Sequence, residues 1–229
     1  LNHCGCRIDP KCLNGRTPKG ASGLLSPSDI QSQQLTNSEI EDIISQFIKS
    51  AKLCEHAGAD GIQLHAAHGY LLSEFLSPAY NRRDDKWGMV KSNGHTRLLY
   101  TIASEIKKEI DKDFPVSVKL NGHDCVENGV TPKLAAKYVN ELRDVVDMFE
   151  ISSGFCNDMA TMRSKVISSK HLLNAMMLSH HFKPTDRIDF EYENKLKLNM
   201  NRKIENVLKK SSGKWNYVDG YNVEYAEVI

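Results

Sequence analysis

Two kinds of apolar pattern divide the first part of the chain. Short continuous runs at 61–64, 114–120 and 146–151, flanked by Gly, Pro or Asp, read as strands. Between them lie apolar series at helical spacing. Ile40, Ile43, Ile44, Phe47, Ala51 and Cys54 form the first, and Gly58 ends it. Leu98, Leu99, Ile102, Ile106 and Ile110 form the second, and Leu134, Ala135, Tyr138, Val139 and Leu142 the third. Thr36-Asn37-Ser38-Glu39 has capping-box spacing, and Thr131-Pro132 supplies an N-cap and first-turn pair. A short helix at 70–75 is stopped by Pro78. The order helix, strand, helix, strand, helix, strand predicts an α/β fold with parallel strands. Right-handed crossovers then place every strand C-terminus on one face.

The remaining segments are less regular. Residues 1–7 read as a strand tail and its exit, and 8–35 as a long loop rich in Gly, Pro, Ser, Lys and Gln. Residues 81–94 are polar and turn-prone around Trp87. An apolar helix is expected at 171–182, with His180 and His181 at its solvated end. Lys, Asn, Glu and Asp dominate 183–215, and 221–229 looks like the start of a helix.

Composition narrows the function classes. With 40% hydrophobic residues and a formal net charge of +1, the chain gives no electrostatic case for nucleic acid or an anionic membrane as partner. No apolar stretch reaches transmembrane length, and the expected compartment is the cytoplasm. Six cysteines are unevenly placed. Cys54 is expected to behave as a small buried hydrophobe. The cluster of His3, Cys4, Cys6 and Cys12 has no common zinc spacing, so no metal is assigned. No Gly-x-Gly-x-x-Gly follows a strand, which argues against a Rossmann dinucleotide site.

The candidate chemistry sits at the end of the first strand, in Gly61-Ile62-Gln63-Leu64-His65-Ala66-Ala67-His68-Gly69-Tyr70. Two neutral imidazoles there can both donate to one oxygen atom, and a nearby phenol can deliver a proton. A structural corner with one satisfied histidine is the bland alternative; the full His-x-x-His-Gly-Tyr set favours a site. The other strand ends would add Lys119, Asn121, Ser152, Ser153 and Gly154. A metal hydrolase built on His65 and His68 lacks the further ligand-spaced His and Asp it would need.

The stretch 58–78, followed by Asn81-Arg82-Arg83 and Asp85-Lys86-Trp87-Gly88, closely resembles the signature of the old yellow enzyme family. Leu1-Asn2-His3-Cys4-Gly5-Cys6-Arg7, Val116-Ser117-Val118-Lys119-Leu120-Asn121 and Glu150-Ile151-Ser152-Ser153-Gly154 resemble three more of its segments. The resemblance implies FMN-dependent NAD(P)H oxidoreductases on a TIM barrel, reducing activated alkenes and carbonyl-conjugated substrates. His65 and His68 would hold the substrate oxygen, with His65 also facing the flavin. Tyr70 would supply a proton, and Lys119 would lie at the flavin N1–C2=O edge. The expected architecture is a partial (β/α)8 barrel of roughly the third to sixth βα units over residues 1–160, with a divergent helical or irregular region at 161–229. The family's first strands would precede Leu1 and its phosphate-binding turns would follow Ile229. Met89, and Asn93-Gly94-His95, depart from the family pattern, as does the whole of 155–215. This incompleteness makes a non-catalytic remnant the alternative to an impaired enzyme. A small-molecule substrate is the expected partner, and oligomer formation is left open.

Overall fold

The computed structural model describes residues 1–8, 10–23, 31–88 and 94–154. The readings for Met89 and Asn93, the helices at 171–182 and 221–229, and the boundary near 160 lie outside them. After 3-10 turns at Gly5–Arg7 and Pro10–Leu13 come two short paired strands, β1 (Lys19–Gly20) and β2 (Gln33–Gln34). Helix α1 (Asn37–His56), strand β3 (Ile62–Ala66) and helices α2 (Leu71–Leu76) and α3 (Arg97–Glu109) follow. Strand β4 (Val116–His123), helix α4 (Pro132–Leu142) and strand β5 (Met148–Ser153) complete the series.

The caps form as the sequence predicts. Thr36 Oγ1 accepts the Glu39 N–H at 3.2 Å, and Glu39 Oε2 accepts the Thr36 N–H at 2.9 Å. Beyond the other end of α1, Gly58 takes φ +90°, a conformation that favours glycine. Thr131 Oγ1 accepts the Leu134 N–H, with Pro132 at the first helical position. Ile40, Ile44, Phe47 and Ala51 are buried as expected. Cys54 is not: it is half-buried on the last turn of α1, where Leu53 is 60% exposed and the helix overhangs the core.

Strands β3, β4 and β5 form one parallel sheet with β4 in the middle. The register places His65 beside Lys119, Lys119 beside Glu150, and Asn121 beside Ser152. Of the expected strand tail at 1–7, Leu1 alone joins the sheet. Its ammonium donates to Gln63 O at 2.6 Å, and the His65 N–H donates to Leu1 O at 2.9 Å. The chain then turns away through Gly5–Arg7.

Strand periodicity separates two faces. Leu64, Ala66, Val116, Val118 and Leu120 are buried in the core with Phe47, Phe75, Ile102, Ile106 and Leu142 from the helices. Gln63, His65, Ser117 and Lys119 alternate with them and remain partly accessible, and Glu150 is exposed. Helices therefore cover one face of a parallel sheet, and the other is a polar inner face. None of the described helices is long and apolar enough to cross a membrane.

Candidate active site

The site is a corner. After β3 the chain passes Ala67 and then takes two left-handed residues in succession, His68 at φ +62° and Gly69 at φ +79°. Glycine adopts this freely; histidine is strained there by an amount on the order of 1 kcal/mol and must be held. Asn121 Oδ1 accepts the His68 N–H at 3.3 Å, while the ring Nε2 lies 2.7 Å from Ser152 Oγ. Ser73 Oγ accepts the Gly69 N–H at 3.1 Å, and Tyr70 becomes the N-cap of α2. The turn so made faces His65 with the other two rings. Its ring centroid is 5.3 Å from that of His68 and 5.1 Å from that of Tyr70, both edge-on.

Both imidazoles are biased toward neutrality. Burial, helped by the Lys119 cation, lowers the His65 pKa. Burial, then the neighbouring His65 and Lys119, brings His68 down to about 4. His65 Nδ1 accepts the Ala67 N–H at 3.3 Å, so the proton of the neutral ring belongs on Nε2. Two neutral rings and one phenol, with no carboxylate hydrogen-bonded to either imidazole among the described residues, suit the binding of an electron-rich oxygen.

Behind the corner lies a buried polar network. The Asn121 amide donates to Asp124 Oδ1 at 2.8 Å and to Gly154 O at 3.0 Å. Asp124 Oδ2 accepts the Ser77 hydroxyl at 2.6 Å and the Val130 N–H at 2.7 Å. Burial raises the Asp124 pKa against these donors. Asn121 thus holds a fixed orientation, and with it the His68 backbone. On the inner face, Lys119 Nζ donates to Glu150 Oε1 at 2.6 Å and Gln63 Nε2 to Glu150 Oε2 at 3.0 Å. The Lys119 bond holds the Glu150 pKa below its usual range.

Two further buried polar side chains fasten the long N-terminal segment beside this corner. Glu74, 2% exposed, accepts the Cys6 N–H on Oε1 and the Ala21 N–H on Oε2, both at 2.9 Å. A Cβ at Gly5 or Gly20 would meet its oxygens at 2.2 Å, so both positions need the bare backbone. Arg83, also buried, donates to Ala21 O at 3.0 Å, to Leu35 O at 2.7 Å and, through its fork, to Asp85. A separate open cleft of about 890 Å³ runs past Asn2, His3, Lys19, Glu39 and Ile43 and includes none of the corner residues.

The structure brings His65, His68 and Tyr70 together, and puts Lys119 beside His65 on the inner face. Asn121 and Ser152 join them through His68, and Gly154 through its carbonyl. Ser153 is buried at the end of β5. Among the described residues no three of the His, Cys, Asp and Glu side chains converge as metal ligands; His3 Nδ1 accepts the Gly5 N–H instead. Sequence reasoning missed Glu150, Asp124 and Glu74. The signal for Glu74 was a carboxylate within the apolar run Leu71, Leu72, Phe75, Leu76; Asp124 had only its place after a strand.

A family model described as NADH:flavin oxidoreductase / NADH oxidase matches residues 9–181. An NADPH dehydrogenase of Clostridium acetobutylicum is 35% identical over 167 residues, which are 67% of this chain and 45% of that protein. An NADH oxidase of Thermoanaerobacter brockii is 33% identical over 164 residues, 71% of this chain and 25% of the relative. The chain thus spans less than half the length of these curated relatives. Among solved structures, a 2-naphthoyl-CoA reductase complex superposes with a TM-score of 0.64 at 26% identity, covering 74% of this chain and 27% of the other. A structure described as TcOYE with pHBA gives 0.59 at 21% identity, covering 68% and 50%. The parallel sheet with its helices on one face is accordingly a partial barrel of this kind. With its family model matched over most of its length, the chain belongs to the NADH:flavin oxidoreductase / NADH oxidase family.

Proposed function

We propose that the chain carries the substrate-binding centre of an FMN-dependent oxidoreductase that uses NAD(P)H to reduce activated alkenes or other carbonyl-conjugated small molecules. The observation that carries this reading is the corner itself, where two neutral imidazoles and a phenol lie within ring-contact distance. His65 and His68 donate to the carbonyl oxygen of the substrate and draw electron density from the conjugated double bond. Tyr70 holds the proton that the α-carbon receives, and its neighbour His65 packs edge-on against the phenol ring.

The inner face fits the pyrimidine edge of a flavin. Lys119 and Gln63, on adjacent strands, supply a cation and an amide toward it, and Lys119 is the residue that would face N1–C2=O. Glu150 tempers that cation through its ion pair. When bound, the flavin would supply the hydride-transfer chemistry between NAD(P)H and substrate.

The test is FMN titration of the full chain, followed by flavin absorbance and fluorescence, and then addition of a phenolic ligand. His65→Ala spares flavin binding and weakens the phenol; Lys119→Ala weakens flavin binding. A wild-type chain that takes up no FMN overturns the reading and leaves a non-catalytic relative in its place.

A further inference from the structure

Resting on the two-donor reading above, we propose that the Ser152 hydroxyl fixes His68 as its Nδ1–H tautomer, so that a bound oxygen meets unlike nitrogens, Nε2–H of His65 and Nδ1–H of His68. Ser152 is a positioning residue in this account, acting through the ring it touches.

The two rings face opposite constraints. On His65, Nδ1 accepts a backbone N–H, so the proton sits on Nε2. On His68, Nε2 is the nitrogen engaged within the protein, at 2.7 Å from Ser152 Oγ. Two arrangements satisfy that distance. If Nε2–H donates, the hydroxyl proton of Ser152, a buried residue, has no other acceptor among the described residues, and His68 Nδ1 becomes a bare acceptor. If the hydroxyl donates, its proton is used, Nε2 is satisfied, and the hydrogen is carried by Nδ1, which has no hydrogen-bond partner among the described residues. The second arrangement leaves no buried polar atom of the pair unmatched. Because His68 is neutral well below pH 7, the ring holds one proton and the choice of nitrogen is exclusive.

The backbone supports the same assignment. Ser152 and Asn121 are register partners on β5 and β4. Asn121 fixes the His68 main chain and Ser152 the far edge of its ring, so rotation about the side chain would break the 2.7 Å contact. The consequence is a chemical selection. The site accepts an oxygen with two free lone pairs, a carbonyl or a phenolate, and disfavours a group that presents a hydrogen of its own, such as an amide nitrogen.

The experiment uses the full chain with 15N-labelled histidine, and long-range 1H–15N correlation spectra to read each ring's tautomer. His68 is assigned from its disappearance in His68→Gln. The wild-type ring is expected as Nδ1–H, with Ser152→Ala shifting it toward Nε2–H and Ser152→Thr, which suits a strand, preserving it. In parallel, para-nitrophenolate binding by absorbance should weaken about tenfold in Ser152→Ala and recover in Ser152→Thr. A wild-type His68 found as Nε2–H, or a tautomer unmoved by Ser152→Ala, overturns the proposal. If the Nδ1–H tautomer is found but no variant binds nitrophenolate, the Ser152 assignment stands and the two-donor reading falls.

Discussion

Replacing Glu74 by glutamine should produce a stability difference that changes with pH. The carboxyl is buried and has two backbone N–H donors on it; burial nevertheless pushes its pKa from 4.5 up to about 7. The folded protein then holds a proton between pH 4.5 and 7 that the unfolded chain has released. Stability from this group is full below pH 4.5 and is lost as pH rises through 7. Each tenfold in proton affinity is about 1.4 kcal/mol, so the loss amounts to about 3 kcal/mol. Glutamine has no proton to lose, but its amide offers one acceptor where the carboxyl offers two. One of the Cys6 and Ala21 N–H groups is left facing an NH2, a cost of about 1–3 kcal/mol. Urea unfolding, followed by fluorescence of the buried Trp87, should therefore find Glu74→Gln less stable than wild type near pH 4.5. By pH 8 the two should be level, or the variant should lead. A gap that is constant across this range would refute the reasoning. It would mean that the two N–H donors hold Glu74 ionised throughout and outweigh its burial.

Tyr70→Phe should leave FMN and phenol binding close to wild type while slowing substrate reduction by about 10²–10⁴-fold, the range for losing a positioned proton donor. Stopped-flow kinetics separate this from flavin reduction by NAD(P)H, which should not change; equal slowing of both would remove Tyr70 from the proton-donor role. Arg83→Lys replaces a fork that serves Ala21 O, Leu35 O and Asp85 with a single ammonium. A loss of about 2–4 kcal/mol is expected in the same unfolding assay, and a loss under 1 kcal/mol would show that the lysine reaches the same carbonyls.

Local signals in the sequence were enough for the described helices. Thr36 with Glu39, and Thr131 with Pro132, placed two helix starts because capping is chemistry between residues three apart. The histidine corner was legible for a similar reason, since His65, His68 and Tyr70 are close in the chain. What the sequence hid is what joins distant segments. Ser152 meets His68 across 84 residues and Cys6 meets Glu74 across 68, and no periodicity encodes such pairs. The end of β4 was also hidden. Asn121-Gly122-His123 looks like a polar exit, yet pairing with β5 extends the strand through a bulge to His123. Nor could residue type alone announce that His68, rather than only Gly69, would be left-handed.

The alternation along β4 gives the molecule two nearly independent sets of controls. Val116, Val118 and Leu120 decide how firmly the sheet is clamped to its helices; Ser117, Lys119 and Asn121, one step out of phase, decide what the open side binds. Substitutions in the first set should register on a melting curve, and those at Ser117 or Lys119 on a ligand titration. Asn121 is where the two meet, since it is buried like the first set and bonded to the corner like the second. An engineer wishing to retune the pocket without weakening the scaffold would leave that one residue alone.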